Sequence, residues 1–228
     1  MRTRARPPRD RRGDAPQPSA PTPRGRRPGG GNSVRIVGGA WRGRRLQFPD
    51  VPGLRPTPDR VRETLFNWLM PGIAGARCLD LYAGSGVLGL EALSRGAAAV
   101  VLVERDPRAA RALRESAARL GAGLRARLCE LTAECFLTSA TERFDVVFLD
   151  PPFDAGALPA ALAALAARDL LSPGARVYLE CRADQPLPAL PPGWRLHRSG
   201  RAGDVGYHLA ICPDDGRGGQ VASAPESH

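Results

Sequence analysis

Lysine is absent from this chain: all 33 basic side chains are arginine. Alanine, glycine and proline are abundant, so this reads as the coding bias of a GC-rich genome, and the Arg/Lys ratio carries no functional information. Aromatic residues are scarce at 5%. No stretch of about 18 apolar residues runs free of charge, glycine or proline, so no transmembrane helix is expected. The Arg-rich N-terminus leads into no apolar segment, which argues against a secretory signal. The five cysteines form no C-x-x-C pair, and the three histidines (His197, His208, His228) stand far apart. Neither a metal site, a disulfide framework nor a Ser/His/Asp constellation is expected, and a cytoplasmic protein with reduced thiols fits.

What is present is a positive charge placed unevenly. The net charge is +10. Residues 1–33 contribute +7 and residues 34–62 a further +5, whereas residues 63–212 balance to zero and the last sixteen carry −2. A field gathered at one end of the chain is the footprint of a polyanionic partner. Residues 1–33 and 213–228 are too poor in apolar side chains to offset the entropy of ordering, and both are expected to be disordered tails.

Between the tails, the runs 34–37 and 41–48 read as strands of a hairpin about Gly38-Gly39. Thr57 and Pro58 read as an N-cap and a first helical residue. Their helix would end near Pro71-Gly72. From Cys78 onward, apolar strands alternate with helices up to a closing hairpin formed by 194–198 and 207–211. That order predicts an α/β fold: a mostly parallel seven-stranded sheet, helices on both faces, a C-terminal antiparallel hairpin and a small N-terminal hairpin-and-helix extension. Ligands of such sheets bind beyond the C-terminal ends of the strands.

Two motifs stand at such ends. The first is Asp80-Leu-Tyr-Ala83-Gly84-Ser85-Gly86-Val-Leu-Gly89, where glycines allow a tight turn and bring backbone N–H groups against a ligand. Glu104 ends the next strand, with Arg105 after it, and an acid there accepts hydrogen bonds from ribose hydroxyls. Gly84-x-Gly86-x-x-Gly89 alone also fits a dinucleotide site. Asp80, four residues before the first glycine, suits the cationic amino group of a methionine moiety instead. The second motif is Asp150-Pro151-Pro152-Phe153. A carboxylate and a carbonyl held side by side match the two N–H donors of an exocyclic amine, and Phe153 can stack on its base. Aiming that nitrogen at an electrophilic methyl is catalysis by positioning. Trp41, Arg42, Arg44, Arg45, Arg55, Arg60 and Arg62 form a basic, aromatic-bearing entry segment suited to RNA.

From about Val34 to Ile211 the chain resembles the bacterial small-subunit (16S) rRNA guanine-N2 methyltransferase family. The segments that carry the resemblance are Arg35-Ile-Val-Gly-Gly-Ala-Trp-Arg-Gly-Arg, Gly53-Leu-Arg-Pro-Thr57-Pro-Asp-Arg-Val-Arg-Glu63-Thr-Leu-Phe-Asn-Trp-Leu, Leu79-Asp-Leu-Tyr-Ala-Gly-Ser-Gly-Val-Leu-Gly-Leu-Glu-Ala-Leu-Ser-Arg, and Asp150-Pro-Pro-Phe. The resemblance implies a Rossmann-like class I methyltransferase fold that uses S-adenosyl-L-methionine. It implies one guanine of 16S rRNA as target, guanine 966 in the family, on an assembled or assembling small subunit, with the enzyme a monomer by default. It divides the chain into an RNA-contacting extension (34–72) and a cofactor-binding domain (73–212). It also implies that Thr132, standing where relatives carry Asp or Asn, or the backbone of Ala133, meets the adenine amine. A DNA adenine-N6 or cytosine-N4 methyltransferase shares both motifs, and a dinucleotide-dependent oxidoreductase shares only the first.

Overall fold

A computed structural model describes residues 32–52, 54, 56–152 and 156–214. Strands β1 (Asn32–Arg35) and β2 (Arg45–Phe48) pair antiparallel and precede helix α1 (Asp59–Ile73). Then come β3 (Arg77–Asp80), α2 (Val87–Ser94), β4 (Ala99–Val103), α3 (Pro107–Arg119), β5 (Ala126–Cys129) and α4 (Ala133–Ser139). The chain continues through β6 (Phe144–Leu149), α5 (Ala157–Ala167), β7 (Leu171–Arg182), β8 (Arg195–Ala202) and β9 (Val205–Ile211). The main sheet of the described residues has seven strands in the order β5-β4-β3-β6-β7-β9-β8, parallel from β5 to β7 and antiparallel at β9 and β8. No helix among the described residues is long and apolar enough to cross a membrane.

Both sheet faces are covered, which is why the interiors of the central strands are mostly apolar. One face packs under α1, α2 and α3 through Leu65, Leu69, Leu90, Leu113, Phe148 and Tyr178. The other packs under α4 and α5 through Phe136, Leu137, Leu158, Leu162, Val147 and Leu179. The chain turns from one face to the other between β3 and β6, so a crevice opens beyond their C-terminal ends.

Several expectations are corrected. Asn32 and Ser33 belong to β1, and Pro213 accepts a hydrogen bond from Gly174 N at 3.0 Å, so regular structure extends slightly outside 34–212. The remainder of both expected tails lies outside the described residues. Gly38-Gly39 lies within the hairpin connection, which spans residues 36–44 and is longer than a two-residue turn. Gly39 (φ +75°) is pressed on the C-terminus of α2, where a Cβ would stand 2.0 Å from the Ser94 carbonyl oxygen. Ala40 N donates to that oxygen at 2.8 Å, and Ser94 Oγ donates to Gly38 O at 2.6 Å. Pro58, not Thr57, is the residue flanking α1, because the Thr57 hydroxyl is drawn to a buried carboxylate instead. The helix also passes through Pro71 and ends at Ile73.

Candidate active site

The glycine loop joins β3 to α2. Gly84 (φ +51°) and Gly86 (φ +74°) adopt left-handed conformations, and a Cβ on Gly86 would meet Leu113 Cδ1 at 2.1 Å. Asp80, at the end of β3, is 2% exposed and accepts from Gly89 N at 3.0 Å. Burial pushes its carboxyl up to about 7; the Gly89 N–H opposes this, and the charges of Glu104 and Glu180 add to it. No arginine pairs with Asp80 among the described residues. Glu104 ties two backbone turns together, accepting from Gly84 N at 2.8 Å through one oxygen and from Asp106 N at 2.7 Å through the other. Each oxygen keeps a lone pair for a further donor. Ala83 and Ser85 are buried in the loop and Arg105 is exposed. Thr132 N-caps α4, its hydroxyl oxygen accepting from Cys135 N at 3.2 Å. Ala133 is buried at the start of that helix.

Asp150 follows the end of β6, with Pro151 buried and Pro152 exposed. Phe153 lies outside the described residues. Burial of the Asp150 carboxyl, then the nearby charges of Glu180 and Asp80, hold it well above the usual carboxylate range, and the Thr57 hydroxyl opposes them. The register explains the company it keeps. Asp80 pairs with Phe148, Phe148 with Tyr178 and Leu149 with Leu179, so Asp150 continues β6 beside Glu180 of β7. Asp80, Asp150 and Glu180 therefore share one sheet face at the edge of the crevice. Glu180 is 3% exposed, and one of its oxygens accepts from both Thr57 Oγ1 and Tyr178 OH, each at 2.8 Å.

Thr57 was expected only as an N-cap, and Tyr178 and Glu180 were not singled out from the sequence. The available signal was an acid at the end of the apolar run 177–179, where a carboxylate needs a partner or a ligand.

The entry segment divides. Arg42, Arg44, Arg45 and Arg60 are exposed. Arg44 donates to Arg119 O at 3.0 Å and Arg45 to Ser33 Oγ at 3.1 Å. Trp41 is half-buried against the core, with the Arg125 guanidinium 5.5 Å from its ring centroid. Arg55 lies outside the described residues. Arg62 is a correction to the expected RNA-binding set, because it is 0% exposed. It donates to Glu91 Oε2 at 2.6 Å, Asp59 Oδ1 at 2.5 Å and Thr57 O at 3.0 Å. On α1 it shares the inward face with Leu65, Phe66 and Leu69, so its charge meets Glu91 of α2 rather than solvent. A groove of about 400 Å³ runs between the hairpin and the start of α1, lined by Ser33, Phe48, Leu54, Pro56, Thr57 and Asp59. Leu54 also reaches the glycine loop, its Cγ 3.4 Å from where a Gly84 Cβ would stand. The groove thus adjoins the crevice.

The family model described as Conserved hypothetical protein 95 matches residues 34–211. The Ribosomal RNA small subunit methyltransferase D of Escherichia coli strain K12 is 48% identical over 180 residues, which is 79% of this chain and 90% of that protein. The protein of the same name from Haemophilus influenzae is 43% identical over 185 residues, covering 80% of this chain and 95% of that one. The solved structure of yhhF from Escherichia coli superposes with a TM-score of 0.75 at 46% identity, covering 80% of this chain and 99% of that one.

Proposed function

The chain belongs to the family of Ribosomal RNA small subunit methyltransferase D, and from that premise we propose that it methylates the exocyclic N2 amine of a guanine in 16S rRNA. The methyl donor is S-adenosyl-L-methionine and the fold is that of the Rossmann-like methyltransferases. The target is guanine 966 of the family, met in the cytoplasm on an assembled or assembling small subunit by a monomeric enzyme. The observation that carries this reading is the adjacency of two motifs. Asp150-Pro151 ends β6, and Asp80 with the Gly84–Gly86 loop ends the neighbouring strand β3.

The residues fit the cofactor. Asp80 is a buried acid that favours a cationic ammonium. Glu104 has lone pairs left for two ribose hydroxyls, and the loop around Ala83, Gly84, Ser85 and Gly86 presents its backbone closely. Arg105 flanks the ribose side. The second lone pair of the Thr132 hydroxyl, or the backbone at Ala133, serves the adenine edge. Bound S-adenosylmethionine supplies an electrophilic sulfonium methyl. Asp150 and the Pro151 carbonyl accept the two amine hydrogens and aim the nitrogen lone pair, with Pro152 stiffening the turn and Phe153 stacking on the base. Held this way, the amine nitrogen would face that methyl in line, and Asp150 or water would take the proton released by the product ammonium. Trp41, Arg42, Arg44, Arg45, Arg55 and Arg60 contact the RNA, and the positive charge of the N-terminal segment adds to the attraction.

The test uses labelled cofactor with small ribosomal subunits or duplex DNA. Label enters the subunits, as N2-methylguanine. Label in DNA alone would reject the reading in favour of a DNA amino-methyltransferase. Asp150→Ala abolishes transfer while S-adenosylhomocysteine affinity by calorimetry stays within about threefold, because no cofactor contact is assigned to that carboxylate.

A further inference from the structure

We infer that Glu180 is a second hydrogen-bonding group of the base pocket, whose carboxylate accepts the imino N1–H of the target guanine beside the N2 amine held at Asp150. The inference rests on the guanine-N2 reading above and adds to it the group that distinguishes this purine from others.

Position supports it first. Asp150 and Glu180 leave adjoining parallel strands at matching register, on the sheet face where the Phe148 and Tyr178 rings lie 6.4 Å apart. Neighbouring strands stand about 4.8 Å apart, so two carboxylates at this spacing can meet adjacent donors on one base edge. The Thr57 hydroxyl lies between them, donating to Glu180 and bearing on Asp150.

Preorganisation supports it second. Both hydroxyl donors, Thr57 and Tyr178, converge on the same oxygen, Oε1. Oε2 has no donor among the described residues, while the two bonds to Oε1 hold the carboxylate in place. A purely structural acceptor for two hydroxyls would not need a charge, since an amide oxygen accepts as well without the desolvation cost of a buried carboxylate. Burial raises the Glu180 carboxyl while the two hydroxyl donors lower it. An N–H donated to Oε2 acts in the same direction as those hydroxyls and favours the charged form.

The chemistry of the base supports it third. Asp150 and Pro151 account for the two hydrogens of N2 and leave N1 unread. Guanine presents N1–H next to N2, whereas adenine and 2-aminopurine present a lone pair at N1, which a carboxylate repels. Drawing on the N1–H also pushes electron density into the ring, countering the delocalisation that makes N2 a weak nucleophile.

The test compares small subunits reconstituted with guanosine or 2-aminopurine riboside at the target position. 2-Aminopurine keeps the amine and lacks N1–H. For the wild type, kcat/KM on guanine exceeds that on 2-aminopurine by at least about 100-fold, since sites built around a hydrogen bond strongly reject analogues that lack it. Glu180→Gln keeps an oxygen for Thr57 and Tyr178 and gains an N–H suited to a bare N1. Its guanine rate falls by about tenfold or more, and the guanine/2-aminopurine ratio shrinks to within about tenfold. Its unfolding midpoint and S-adenosylhomocysteine affinity stay near wild type. Equal wild-type rates on the two bases would overturn the inference without any variant, as would an unchanged ratio in folded Glu180→Gln. Failure of the wild type to methylate guanine at all is a different result and would remove the guanine-N2 reading itself.

Discussion

Replacing Arg62 by methionine separates a structural arginine from an RNA-binding one. Methionine fills most of the arginine stem and deletes three hydrogen bonds. The bond to Glu91 joins two side chains that are both 0% exposed and is worth about 2 kcal/mol as a buried charge-assisted contact. The bond to the Thr57 carbonyl adds about 1.5 kcal/mol. The bond to Asp59, whose side chain is 38% exposed, adds about 0.5 kcal/mol after solvent screening. Neither acid is stranded, because Glu91 keeps Arg95 at 2.9 Å and Asp59 keeps Arg35 at 2.6 Å. The loss is therefore about 4 kcal/mol, within the range for breaking a buried pair. In a domain of this size that lowers Tm by roughly 8–16 °C. Urea unfolding followed by tryptophan fluorescence measures the first figure and scanning calorimetry the second. The control is Arg42→Ala, an exposed arginine with no partner among the described residues. It leaves Tm unchanged and lowers the salt slope of RNA binding by about 0.7–0.9 for one lost phosphate contact. A folded Arg62→Met protein with wild-type Tm and a reduced salt slope would refute the reasoning and return Arg62 to the RNA surface.

Two further outcomes follow from the glycine loop and its acid. Asp80 stands at about 7 against an ordinary 3.8, so in the cofactor-free protein it holds its proton below neutrality. Its folded value is the higher one, so its contribution to stability is fullest below the ordinary value and is lost as pH rises through about 7. Binding a cationic ligand expels that proton: S-adenosylmethionine affinity rises about tenfold per pH unit up to pH 7 and then levels off. Calorimetry at pH 6.5 in two buffers of different ionisation enthalpy counts the released proton, and a buffer-independent heat contradicts the assignment. Gly86→Ala combines left-handed strain with a clash on Leu113, destabilising by about 2–3 kcal/mol and weakening cofactor binding more than tenfold. Gly43→Ala, also left-handed but with open space around it, costs only about 1–2 kcal/mol and leaves cofactor binding intact, as equilibrium dialysis would show.

The legible parts of the sequence were those governed by local rules. Strand–helix alternation set the sheet, and the glycines at 84, 86 and 89 marked a turn that only small residues fit. Asp150-Pro151-Pro152 stood where an apolar strand stopped. What could not be read locally was pairing across elements. Arg62 sits in a run of arginines that suggested an RNA-contacting face, yet its helical phase matches Leu65 and Leu69. Its partner Glu91 lies in a helix otherwise free of charge and wholly buried, and neither residue explains itself without the other. Thr57 offered a good N-cap by type, but a buried acid 123 positions away competes for its hydroxyl. Glu180 was hidden because register, and not sequence proximity, sets it beside Asp150.

The Glu91 carboxylate receives Arg62 from α1, Arg95 just past the end of its own helix and, at 3.3 Å, the Val37 backbone N–H that follows β1. Its helix begins immediately after the cofactor loop. Residues 34–72 and 73–212 thus share one charged keystone. Cutting the chain between them would expose a buried anion and strip two of its donors. The hairpin and α1 are therefore not a detachable module that could be exchanged for another element. Any change in target preference has to be written into side chains facing outward from a frame whose inner geometry the cofactor half already dictates.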